Sequence, residues 1–77
     1  MHYGASTHLR PDLVLSKAVE YFASLGLKTV RRSPSTLSME DAKGQVAITL
    51  SLGSETEVDI VTHGYNQEVK AFLQRIG

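Results

Sequence analysis

The sequence predicts an α+β domain, a two-layer sandwich in which an antiparallel sheet carries two helices on one face, in the order β-α-β-β-β-β-α. Three observations carry that reading. Near each end of the chain, apolar residues recur at the three- and four-residue spacing of a helix. Between these segments the apolar period falls to two, the signature of strands with one buried face. Short turn signals built on Pro, Gly and Asp separate the alternating runs.

Each element can be justified in turn. Before Pro11, Tyr3, Ala5, Thr7 and Leu9 share one parity, and His2, Gly4, Ser6 and His8 share the other. A first strand is expected there, weakened by Gly4 and by the chain end. Pro11 occupies a first-turn position, where its missing N–H costs nothing, and Asp12 suits the positive end of the helix dipole. Val14, Ala18, Phe22 and Leu25 then recur on one stripe that Leu15 and Val19 widen, giving a helix over Pro11 to Leu25. Gly26 ends it, with Leu27 placed to pack back on the last turn.

After Gly26 the chain reads as strands. Lys28 to Ser33 precedes a Pro34-Ser35 turn, and Leu37 and Met39 alternate within Thr36 to Glu40. Asp41 to Gly44 reads as a hairpin loop, its glycine free to take a positive φ. Val46, Ile48, Leu50 and Leu52 alternate cleanly with polar neighbours in the best strand of the chain. Gly53-Ser54 turns it, and Val58 and Ile60 alternate with Glu55, Glu57 and Asp59. A second helix follows His63-Gly64, with Asn66 as its expected N-cap and Val69, Phe72, Leu73 and Ile76 as its apolar stripe.

This order resembles the half-repeat of the TATA-box-binding proteins and a shortened form of the helix-grip folds of plant-allergen and lipid-transfer type. The resemblance lies in element order over the whole chain, not in a motif. It implies a curved antiparallel sheet against a C-terminal helix, and it implies fold alone. The face that binds DNA in the TATA-binding fold would here carry Thr, Ser, Ala and acids.

Composition narrows the function classes. Residues 1–77 form a single domain, and a chain this short hides only a little over ~60% of its unfolded surface, enough for one core. Apolar residues make up 42% and charged residues 21%, an ordinary globular mix. Eight Lys and Arg balance eight Asp and Glu. The resulting zero net charge removes the positive field of a nonspecific nucleic-acid binder or a polybasic membrane anchor. No Cys is present, which excludes disulfides, thiolate metal sites and thiol catalysis. With no apolar run of membrane-spanning length and no signal-peptide pattern, the expected location is the cytoplasm.

Strand parity gives the sheet two faces. Leu37, Met39, Val46, Ile48, Leu50, Leu52, Val58 and Ile60 fall on the core side. Thr36, Ser38, Glu40, Ala47, Thr49, Ser51, Glu57, Asp59 and Val61 fall on the open side. That open face is either a solvated sheet surface or a place where a second copy stacks, with Ala47, Thr49 and Val61 at its middle. Charge is segregated as well: Lys28, Arg31 and Arg32 mark one strand, and Glu55, Glu57 and Asp59 mark the last. Such charges either guard sheet edges or let copies associate through opposite charge.

Candidate chemistry is sparse. His2, His8 and His63 share the open-face parity with Glu57 and Asp59, but ~20 Å of strand separates His2 from His8, and no HxH, HxxxH or HExxH spacing occurs. The acids stand at strand spacing rather than converging in a pocket that would split their pKa values. No nucleophile elbow, P-loop or dinucleotide fingerprint is present. Tyr65 reads as a hydrophobic staple onto Val69. No catalytic residue, metal site, cofactor, nucleic acid or membrane is therefore expected. The first reading is a small non-enzymatic binding or interaction module that self-associates through its sheet as a homodimer. The alternative is a carrier that holds a small apolar ligand between the second helix and the sheet, lined by Phe22, Leu50, Ile60, Phe72 and Leu73.

Overall fold

The computed structural model describes residues 1–77 as β1 (His2–Thr7), α1 (Pro11–Ser24), β2 (Lys28–Arg32), β3 (Thr36–Glu40), β4 (Gln45–Leu52), β5 (Thr56–His63) and α2 (Asn66–Ile76). This is the expected α+β order. The strand at the start forms, pairing antiparallel with β5 from His2 opposite Val61 to Thr7 opposite Thr56. The sheet runs β1-β5-β4-β3-β2 and is antiparallel throughout.

Alternation along the strands supplies the inner layer of the core. Leu37, Met39, Val46, Ile48, Leu50, Val58 and Ile60 are buried, and Val14, Leu15, Ala18 and Phe22 of α1 join Val69, Phe72 and Ile76 of α2 in the same cluster. The α1 helix lies over β2, β3 and β4, while α2 lies over β1 and β5. The Phe22 and Phe72 rings meet at 5.6 Å between centroids, where the two helices touch. With both helices on one side, the other side of the sheet is left without a covering layer.

The end of α1 follows its sequence signal. Gly26 takes φ 102°, its N–H donates to the Ala23 carbonyl at 3.0 Å, and the Leu27 N–H donates to the Phe22 carbonyl at 3.1 Å. That is a Schellman termination, and it buries Leu27 as expected. Leu25 caps the helix instead of belonging to it, and β2 stops at Arg32, one residue before Ser33.

Other expectations are corrected. Leu52 shares parity with the core residues but is 77% exposed, at the last position of β4, where it borders an open depression shared with Leu9, Pro11 and Pro34. Asn66 is the first residue of α2 and Tyr65 is the N-cap, with no side-chain capping bond. Gly44 does not use a positive φ, which occurs only at Gly26 and Gly64. It is glycine because a Cβ there would lie 2.0 Å from the His63 carbonyl oxygen. The loop it belongs to is closed instead by Asp41, whose Oδ1 accepts the N–H groups of Lys43 at 2.8 Å and Gly44 at 3.0 Å.

Three threonines complete the core side, each with its hydroxyl satisfied. Thr62 donates to the Gln45 carbonyl at 2.8 Å and Thr56 to the Leu9 carbonyl at 2.8 Å. Thr7 donates to the Ile76 carbonyl and so ties β1 to the last turn of α2.

Candidate interaction face

The uncovered side of the sheet is the one broad surface the fold leaves open, and its composition follows from register. Directly paired residues in an antiparallel ladder point to the same face. One row across the sheet is therefore His2, Val61, Ala47, Ser38 and Arg31. The next row is Gly4, Asp59, Thr49 and Thr36. Beyond it stand Ser6, Glu57 and Ser51, and on the opposite flank His63, Gln45, Glu40 and Lys28. Ala47, Thr49 and Val61 thus adjoin one another in the middle, as parity implied, and Val61 is 49% exposed.

The rows also correct the reading of the charges. β2 is an edge strand, exposed at every residue and bulged between Thr29 and Arg31, so Lys28, Arg31 and Arg32 do guard an edge. β5 lies inside the sheet between β1 and β4, so Glu57 and Asp59 guard no edge and face outward from the open side. Glu55 belongs to the turn before β5, not to the strand. The face is therefore unevenly charged, with Glu57 and Asp59 near the β1 side and Lys28 and Arg31 along β2, where Glu40 of β3 stands beside Lys28.

The histidines separate. His2 lies on the open face, with Nε2 3.2 Å from Asp59 Oδ1. His8 falls beyond β1, 3.0 Å from Glu55 Oε2, in an open depression of about 540 Å³ at the entrance of α1. His63 stands at the far end of β5, opposite Gln45. No three of the His, Asp and Glu side chains come together in a way that could hold a metal ion.

Tyr65 is not a staple, since it occupies the N-cap position itself. Its ring enters the core and its hydroxyl donates to Asp41 Oδ2 in the β3–β4 loop. That bond raises the Tyr65 pKa from 10.0 to about 12, with desolvation adding to the shift, and it lowers the pKa of Asp41. The protonated tyrosine is the folded form, so its contribution to stability is complete below pH 10.0 and is lost as pH climbs through about 12. The Asp41 contribution has the opposite sense, present above pH 3.8 and lost as pH falls through the lowered native value. An ultraviolet titration should show a tyrosine ionising at about 12, and Tyr65→Phe should remove that component. Persistence of the component in Tyr65→Phe would refute the assignment.

The residues of the carrier reading lie elsewhere. Phe22, Leu50, Ile60 and Phe72 are at most 5% exposed and pack against one another in the core, with Leu73 half-buried at its margin. Of these five, only Phe72 borders the groove of about 240 Å³ between the helices, where Arg75 stacks on Tyr21 at 4.9 Å. A ligand among all five would have to part the helices from the sheet. No helix is long and apolar enough to cross a membrane. Comparison with protein-family models, curated proteins and solved structures gives no match to this chain.

Proposed function

We propose that this protein is a non-enzymatic interaction module that self-associates through the open face of its sheet. One observation carries the reading: Val61 and Ala47 sit side by side, with Ser38 and Thr49 next to Ala47, at the centre of a face that neither helix covers. Small side chains let a second sheet approach to the ~10 Å spacing of stacked sheets. A domain this small also gains stability by association, because its single core is limited. The absence of basic and wedge residues at the middle of the face favours protein over nucleic acid.

The test is the double substitution Ala47→Glu with Thr49→Lys. Both side chains are exposed in the monomer, so its stability should change by only about 0.5 kcal/mol per site. In the dimer each substitution is repeated by symmetry and places unmatched charge in the contact, so the dissociation constant should rise about 100-fold. Sedimentation velocity reads the change. An unaltered dimer would place the interface elsewhere and refute this reading.

A further inference from the structure

The strand order fixes more than the face, because apart from Glu40, which pairs across from Lys28, it separates the acids from the cations across the strands. Glu57 and Asp59 lie on the second strand of the sheet order, and Lys28 and Arg31 on the fifth. Two copies stacked face to face are related by a two-fold axis lying between the sheets. For aligned sheets that axis runs either across the strands or along them. An axis across the strands lays β5 on the partner's β5 and β2 on the partner's β2, so the acids of β5 and the cations of β2 never reach one another. An axis along the strands, placed between β3 and β4, lays β5 on the partner's β2 and β4 on the partner's β3.

We infer that the occupant of the open face is a second copy of this chain, related by a two-fold axis parallel to the strands, with Asp59 of each copy engaging Arg31 of the other. This rests on the self-association proposed above and specifies its geometry. Arg31 shares a row with Val61, one residue pair from the row of Asp59. The offset along the strand is therefore ~7 Å, within reach of an arginine stem. His2, 3.2 Å from Asp59, flanks the contact on the same face. Four overlapping strands give a flat footprint of about 400 Å² per copy, below the ~800 Å² of a standard interface, so the dimer is weak and sensitive to salt.

The geometry is tested by charge exchange read by native mass spectrometry. Asp59→Arg alone turns both symmetry-related contacts repulsive, and so does Arg31→Asp alone. Each should weaken the homodimer about 30-fold. Mixed together, the two variants restore both attractive contacts, so a heterodimer of intermediate mass should form close to the wild-type affinity. Circular dichroism confirms that each variant is folded. If wild type dimerises and Ala47→Glu with Thr49→Lys abolishes the dimer, but the mixture stays monomeric, the face is the interface and this axis is wrong. A wild type that never dimerises overturns the geometry together with the reading on which it rests.

Discussion

Replacing Gly44 with alanine is expected to cost about 3 kcal/mol or more, a large share of what a domain of this size holds. The added Cβ would stand 2.0 Å from the His63 carbonyl oxygen, 3.0 Å from its carbonyl carbon and 3.3 Å from the Gly64 Cα. All three are backbone atoms, so no rotamer change relieves the clash. The ends of β4 and β5 must separate instead. The same movement would draw Asp41 away from Tyr65 and release the loop from the entrance of α2. Gly53→Ala is the matched control, since its Cβ would find nothing nearer than 3.8 Å and φ there is not positive. Urea unfolding of the two variants should therefore differ clearly. Equal stabilities would mean that the two loops do not touch as described.

Phe72→Ala is the second large effect, expected at about 3–5 kcal/mol. Phe72 is 1% exposed and lies where α2, α1 and the sheet converge, its ring 5.6 Å from Phe22 and 5.9 Å from Tyr21. Truncation leaves a void that the flanking rings cannot fill without moving the helices, and a single small core has little reserve to absorb the loss. The variant should be largely unfolded at room temperature by circular dichroism. Leu52→Ala, which removes a similar amount of apolar volume from an exposed strand end, should fall within about 0.5 kcal/mol of wild type. A Phe72→Ala protein as stable as wild type would show that the helices do not pack through this ring.

The contrast between Phe72 and Leu52 also shows how far the sequence could be read. Helical spacing identified Phe72 as core, and alternation placed Val46, Ile48 and Leu50 correctly, because each pattern continues into a second layer that covers it. Leu52 continues the same alternation to the last residue of β4, and parity carries no information about which strand-end positions the covering layer reaches. Thr56 and Thr62 show the reverse. Their polar type hid core positions that their parity, shared with Val58 and Ile60, would have revealed.

The candidate face was legible in the same partial way. Parity within single strands sorted Ala47, Thr49 and Val61 to the open side, and the register joined them. It could not rank the strands across the sheet. The acids of the last strand therefore read as edge charges until pairing with both β1 and β4 placed them inside. The roles of Gly44 and Tyr65 depend on contact between loops about twenty residues apart, for which neither spacing nor composition holds a local signal.

Sedimentation equilibrium of the wild-type protein, followed over concentration and ionic strength, tests self-association through the sheet most directly. A weak interface of the footprint described predicts a monomer–dimer equilibrium with a dissociation constant of about 10–100 µM, between particles of 8.4 kDa and twice that mass. Raising salt toward ~1 M should shift it toward monomer, since the paired charges lie at the rim of the contact. A particle of 8.4 kDa at every concentration up to about 500 µM in low salt would contradict the account.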